Sequence, residues 1–411
     1  MRLFAAIALV LVAHASMAEE RARPTFSLDQ ALAAMRDGNL KLRSGKASEL
    51  AASEAVRAAG RWQNPQLDVD YVYGLRKSSY DNGGAGTVGM SQLIETSGAP
   101  VAKREAARHQ EAATRADTRT LAARLALDVE QAYVALGAQL QVIETYATLV
   151  DELKEAERII VARFAAGTTT AYAAQRISLA HGEALTLVAA AETDAVNLRN
   201  DLNKAVGPMA LRLVGAPVFS AESREPLPSL GTLVERQHHE RHDVTAARAR
   251  AKESYSNVET VKRSVFRGVG VRVSSGFGQG PGQIDLGVGV SVPLPVVDAG
   301  GPAIRSAEHT AESATLSADA LAGEAEHELR ATYTMVVQRR KAAEDYATRT
   351  REPSKKIVRE AEAGFREARL SVLDLVDAYR TAHDTGASRI KLARDAAIAE
   401  IDLRRAVVCG R

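Results

Sequence analysis

Cysteine is nearly absent from this chain: there is one, Cys409, two places from the end of 411 residues. An internal disulfide is therefore excluded, and stability must come from packing or from association with other chains. Aromatic residues make up only 4% of the sequence, with a single tryptophan, which argues against a large aromatic-rich globular core. No charge dominates: 53 Lys and Arg stand against 51 Asp and Glu, the signs are interleaved, and the formal net charge is +2. That balance offers no nucleic-acid surface. Long hydrophobic runs are missing too. No stretch approaches the ~18 consecutive apolar residues of a membrane helix, so any crossing of a bilayer would be made with β-strands. No nucleophile–base constellation stands out and nothing calls for a cofactor, so no enzyme is expected.

What is present is alanine mixed with Glu, Arg, Leu and Gln, the composition of long helices. Residues 1–18 read as a secretory signal peptide. Arg2 supplies the positive charge, Leu3 to Ala13 a short apolar core, and Ser16-Met17-Ala18 a cleavage site before Glu19.

The rest is written twice. Ser27-Leu28 is answered about 200 residues later by Ser229-Leu230, Pro100 by Pro302, Tyr133 by Tyr333, Tyr146 by Tyr346, Phe164 by Phe365 and Thr170 by Ser371. The alternative is coincidence in an alanine-rich chain. The division this predicts is a first repeat over 19–207, a connector over 208–228 rich in proline and glycine, and a second repeat over 229–408. Each repeat opens with a helix, Ser27 to Arg61 and Leu230 to Arg263. A hairpin follows, over 66–95 and 268–292, and then a long helix pair, over 100–206 and 302–407. Pro100 and Pro302 suit first helical positions. From Pro100 to Arg163 there is no proline and one glycine, Gly137, which allows roughly 90 Å of helix. Val129, Leu136, Ile143 and Val150, with Leu140 and Leu153 between, predict a coiled-coil seam. Pro353 should kink or interrupt the second long helix.

The strand candidates are Gln66 to Gly74, Gly86 to Glu95, Gly268 to Phe277 and Gln283 to Val292. Ile284, Leu286, Val288, Val290 and Val292 alternate with Asp285, Gly287, Gly289 and Ser291. Val269, Val271 and Val273 oppose Gly270, Arg272 and Ser274, and Leu67, Val69, Tyr71 and Tyr73 oppose Asp68 and Asp70. Gln92 interrupts the second strand. Apolar outside and polar inside is the period of a water-filled membrane barrel. Two half-buried hairpins in a soluble protein are the plainer alternative. Glycine-rich segments, Asp81 to Gly84 and Gly276 to Gly282, read as hairpin tips rather than phosphate loops. Four strands leave two open edges, which lipid forbids, so the membrane reading requires a ring of subunits.

Several short stretches recur in family order. Asn64-Pro65-Gln66-Leu67 enters the first strand, Ser91-Gln92 closes the second, and Val292-Pro293-Leu294-Pro295 leaves the fourth. Phe164-Ala165-Ala166-Gly167 stands at the first turn and Ser371-Val372-Leu373-Asp374-Leu375-Val376-Asp377-Ala378 at the second. With these the chain resembles the TolC-type outer-membrane efflux family over essentially all of its length after residue 18. The resemblance implies an α+β membrane protein: a trimeric twelve-stranded outer-membrane β-barrel, four strands per chain, continued by a periplasmic α-helical coiled-coil barrel. It implies a passive duct in a tripartite efflux system, with a homotrimer, a periplasmic adaptor and a proton-driven inner-membrane pump. Pro293-Leu294-Pro295 before Asp298 is similar to the cobalt-zinc-cadmium resistance branch, whose cargo is heavy-metal cations. A soluble periplasmic coiled-coil scaffold or adaptor is the competing reading.

The same resemblance assigns residues. Asp374 and Asp377 match the paired acids that narrow the tunnel mouth, against a plainer reading as a solvated helix face. The family's closing lock pairs a tyrosine with an arginine; here Phe365 and Leu370 stand in those places, so that lock is missing, and nothing in the sequence shows that the candidates Arg366 or Arg369 substitute for it. The first half has Ala173 where some members carry an acid. The turns, with Arg163, Phe164, Gly167 and Thr170 in one and Gly364, Ala368 and Ser371 in the other, would dock the adaptor. Lipid would meet Leu67, Val69, Tyr71, Val271, Ile284, Leu286, Val288 and Val290. Apart from the resemblance, His238 and His242 lie i, i+4 in an expected helix, a spacing that binds zinc, although His239 holds the place a metalloprotease gives to glutamate. Histidines on a solvated helix are the plainer account.

Overall fold

The computed structural model describes residues 24–72, 85–220, 226–277, 284–367 and 369–410. The expected signal peptide, Tyr73, Gly74, most of both hairpin tips and Ala368 lie outside the described residues. In chain order the elements are β1 (Thr25–Phe26), α1 (Leu28–Gly38), α2 (Leu40–Ala58), β2 (Gln66–Val72), β3 (Ala85–Ile94), α3 (Ala99–Ala165) and α4 (Ala171–Val206). There follow β4 (Ala216–Pro217), α5 (Leu230–Glu240), α6 (His242–Ser264), β5 (Val269–Phe277), β6 (Ile284–Ser291), α7 (Gly301–Arg366) and α8 (Val372–Val408). Two compact units emerge, each drawn from separated stretches. One comprises the described residues up to Leu40 and within Arg124–Ser229 and Ala331–Arg405; the other comprises those within Lys41–Ala123, Leu230–Arg330 and from Ala406 to Gly410. Among the described residues no helix is long and apolar enough to cross a membrane.

Ser27 caps α1 in a full capping box. Its hydroxyl accepts from Gln30 N–H at 3.2 Å, and the Gln30 carboxamide accepts from Ser27 N–H at 2.8 Å. The single helices expected over Ser27–Arg61 and Leu230–Arg263 are each broken. Asn39 is extended (φ −71°, ψ 117°) and its side-chain amide donates to the Ala205 carbonyl at 3.0 Å. Arg241 (φ −75°, ψ 104°) is buried, pairs with Asp243 and Glu328 at 3.0 Å each, and donates to the Ala406 carbonyl at 2.9 Å. The first break falls directly after Gly38, where a Cβ would collide with Met209, and both breaks are held by distant backbone partners. At Pro353 the outcome also differs from expectation: α7 is not interrupted there. The Thr350 and Ser354 hydroxyls donate back to the carbonyls of Tyr346 and Thr350, both at 2.7 Å, beside the ring that lacks an N–H.

In the first unit, α3, α4, α7 and α8 share one buried cluster. It includes Val142, Leu149, Leu153 and Ile160 of α3, Ile177 of α4, Phe365 of α7, and Val376 and Tyr379 of α8. Val129, Leu136 and Leu153 are buried as the heptad spacing predicts. Further along, full burial falls on Val142 and Leu149, with Ile143 and Val150 partly buried against the same cluster. The buried stripe is wider than a two-stranded seam because α3 meets several helices at once.

Gly137 marks a close approach. A Cβ there would lie 2.9 Å from the Phe219 Cβ, and Gln141 donates to the Phe219 carbonyl at 2.7 Å, so the connector is seated on α3. Nearby, β1 and β4 form a two-residue parallel pair. Tyr133 holds it: its hydroxyl donates to the Phe26 carbonyl and accepts from Val218 N–H, both at 3.0 Å. Its ring stands edge-on to that of Phe26 at 5.7 Å.

The second unit contains a four-stranded antiparallel sheet in the order β2-β3-β5-β6. Its registers place Leu67, Met90, Val273 and Val288 in one row. Val69 and Val88 lie in the next row and Val271 and Val290 in another, all on the same face. That face is widely exposed: Leu67 67%, Leu286 83% and Val288 78%. Gln92 does interrupt it, and its amide is turned to the backbone carbonyls of Gln63 (2.8 Å) and Leu93 (3.0 Å). The opposite face carries Asp68, Asp70, Thr87, Ser91, Arg272, Ser274 and Asp285 among glycines 89, 276, 287 and 289.

Candidate functional site

Helix ends and turns place the expected gate and docking residues in the first unit. α3 ends at Ala165, and the Arg163 carbonyl accepts from both the Thr168 N–H and hydroxyl at 2.9 Å. Gly167 reverses the chain at φ 70°, a conformation that penalises any Cβ. Thr170 then caps α4, its hydroxyl accepting from Ala173 N–H at 3.2 Å. Phe164 is 46% exposed beside this turn.

The second turn is built differently. Arg369 N–H and Leu370 N–H both donate to the Gly364 carbonyl, at 2.8 and 3.0 Å. Ser371 begins α8 in a reciprocal box with Asp374. The Asp374 carboxylate accepts from the Ser371 hydroxyl (2.7 Å) and N–H (2.8 Å), while Ser371 Oγ accepts from Asp374 N–H at 3.3 Å. The Ser371 hydroxyl, and next its N–H, hold the Asp374 carboxyl below the usual carboxylate range. Asp374 therefore has a structural task at the helix start. Asp377, one turn on, is exposed.

Arg366 pairs with Glu362 at 3.1 Å within α7, and Arg369 pairs with its neighbour Glu367, so neither guanidinium reaches the first helix pair here. Phe365 is buried, and Arg163 of the first turn lies over its ring, 5.0 Å from the centroid. Three further links were not legible. The Glu152 carboxylate of α3 meets His383 of α8 at 2.7 Å, Glu183 of α4 pairs with Arg380 of α8, and Glu157 of α3 meets His181 of α4 at 2.6 Å. Two of these join the α3/α4 pair to α8. Tyr379 donates to Glu362 at 3.2 Å, and burial, followed by the Glu362 charge, pushes its hydroxyl well above the ordinary tyrosine range. It stays a neutral donor. No local pattern could have revealed these contacts, because His383 and Glu152 are 231 residues apart.

Grooves open beside the turns. One of about 470 Å³ is lined by Glu152, Ile159, Arg163, Glu362, Phe365 and Tyr379. Another, of about 340 Å³, is lined by residues including Thr170, Tyr172, Arg176, Leu370 and Leu373.

The histidine pair is corrected by the break at Arg241. His238 lies in the last turn of α5 and His242 begins α6, so their separation is not one turn of a continuous helix. Burial, followed by the Arg119 charge, lowers the His242 pKa. Among the described residues no group of three or more His, Cys, Asp and Glu side chains is placed to hold a metal ion.

Residues 31–208 match the outer membrane efflux protein family. No curated protein matches the sequence. Among solved structures, the chain superposes on the outer-membrane channel OprN with a TM-score of 0.77 at 18% identity, covering 93% of this chain and 90% of that one. The Campylobacter jejuni CmeC outer membrane channel gives 0.76 at 14%, covering 93% and 86%. CusC, described for the conformational changes of folding and transmembrane channel formation, gives 0.75 at 14%, covering 93% and 92%. At these identities the likeness is one of fold.

Proposed function

We propose that this chain, whose residues 31–208 match the outer membrane efflux protein family and whose fold is similar to that of outer-membrane channels, is a passive duct of the Gram-negative outer membrane. The chain is a duplicated unit. Three copies close a twelve-stranded barrel and a periplasmic helical tunnel. A periplasmic adaptor engages the turns at Arg163–Thr170 and Gly364–Ser371, and an inner-membrane pump supplies the energy.

The single observation that carries this reading is the division of the four-stranded sheet into an exposed apolar face and a polar face rich in glycine. A sheet in water gains nothing from exposing Ile284, Leu286, Val288 and Val290 on alternate positions. Against hydrocarbon the same pattern is required. The edges at β2 and β6 point the same way, since within lipid each needs a partner strand.

Asp374 and Asp377, repeated by threefold symmetry, place a ring of carboxylates at the tunnel mouth. Such a ring attracts cations. In the finer reading the cargo is a heavy-metal cation, supported by the Pro293-Leu294-Pro295 stretch with Asp298, whose carboxylate accepts from Gly300 N–H at 2.8 Å.

Purified protein reconstituted in a planar bilayer tests the duct. Discrete conductance steps, with weaker divalent-cation block after Asp377→Asn, are expected. Recovery of a soluble periplasmic monomer without conductance would sink the reading. Growth of a deletion strain on a panel of metal salts and drugs tests the cargo.

A further inference from the structure

Every charged residue in the described strands lies on the polar face: Asp68, Asp70 and Asp285 against one guanidinium, Arg272. Arg272 is also the largest side chain there, because its neighbours are glycine, serine and threonine. It does not extend freely. Its Nη2 reaches diagonally across β3 to the Asp68 carboxylate at 3.1 Å, and the Ser91 hydroxyl donates to the same Asp68 oxygen at 3.1 Å. Arg272, Ser91 and Gly289 share one row of the sheet, and Asp68 and Gly89 share the next. A Cβ at Gly289 would lie 3.9 Å from the Arg272 Cβ, so the guanidinium stands over an open floor. Beside it is a cavity of about 440 Å³, lined by Gln63, Gln66, Ser91, Arg272 and Ser291 among others.

We propose that Arg272, positioned by Asp68, sets the ion selectivity of the barrel. This rests on the duct reading, in which the polar face lines the lumen. Three copies would bring three guanidiniums to one level of a polar face whose other charged groups, among the described strand residues, are carboxylates. Arg272 is 55% exposed and Asp68 30%. The pair is therefore solvated, and the guanidinium still acts on passing ions while it is paired. Among the described strand residues it offsets one of the three polar-face carboxylates of each chain. What remains there favours cations, by a margin that depends on this residue.

The test is the reversal potential of reconstituted full-length protein in a KCl gradient at low ionic strength, where screening is least. Arg272→Gln and Asp68→Asn each break the same ion pair with little change of volume, but they change the lumen charge in opposite directions. The native duct is expected to prefer potassium over chloride. Arg272→Gln should shift the reversal potential further toward the potassium limit, and Asp68→Asn should shift it toward chloride. Equal potentials in all three proteins, or shifts of the same sign, would overturn the assignment and leave the duct intact. A native protein that conducts nothing would overturn the duct and the assignment together.

Discussion

Val288→Lys separates a lipid-facing sheet from a water-facing one, because the two readings predict opposite outcomes. Val288 is 78% exposed and lies near the middle of the eight-residue β6, at the end of the row Leu67, Met90, Val273 and Val288. If that face met water, the lysine would be a surface change worth within about 0.5 kcal/mol, and solubility would improve. If it meets hydrocarbon, a lysine near the bilayer midplane costs about 2–4 kcal/mol per chain, and a ring of three chains incurs that cost three times. Gly289→Ser is the control on the opposite face, where the new Cβ would find Arg272 at an ordinary 3.9 Å. The assay is outer-membrane fractionation with a heat-modifiable, SDS-resistant oligomer as readout. Gly289→Ser should assemble as the native protein does, and Val288→Lys should not. A Val288→Lys oligomer at native abundance in the membrane fraction would refute the reasoning.

Tyr133→Phe removes a hydroxyl that both donates to Phe26 and accepts from Val218, and should lower stability in urea by about 1–3 kcal/mol; an unchanged midpoint would contradict it. Ser371→Ala removes the cap of α8 at a cost of about 1 kcal/mol, so the amides of its first turn should exchange roughly fivefold faster. Because Asp374 has a folded-state pKa below its unfolded value, its share of that capping is fully present above the ordinary carboxylate pKa of about 4 and is lost as pH falls through the lower folded value. Protection factors in that turn should therefore hold from pH 7 to pH 5 and decline only in stronger acid. Glu152→Gln together with Glu183→Gln weakens the contacts to His383 and Arg380, and should raise single-channel conductance; a current identical to native would show that these links do not restrain the mouth.

Period-two and heptad patterns could be read because they repeat. The alternation along β6 sufficed to assign both faces, and the paired registers then aligned those faces across all four strands. The break at Asn39 left a signal that went unread, the run Asp37-Gly38-Asn39. The break at Arg241 left none: it looks like an ordinary helical position, and its side chain is held by the Ala406 carbonyl far along the chain. Gly137 was visible as the one glycine of α3, but its reason, the passage of Phe219, required the fold. At the candidate mouth, Asp374 illustrates the limit most clearly. Its spacing from Asp377 suggested a shared role, yet three residues before it stands the serine that it caps, a signature that was on the page. The pairing of Arg163 with Phe365 had no such signature, because it joins two turns about two hundred residues apart.

The open sheet has a consequence for biogenesis. Until β2 and β6 find neighbours, each secreted copy presents two hydrogen-bonding borders and a greasy surface to an aqueous compartment. Such a template recruits wrong strands as readily as right ones. On the proposed duct reading, export would have to be followed by escort: holding factors would shield the hairpins until the copies meet at the bilayer, and overproduction beyond that capacity should yield aggregates instead of more pores.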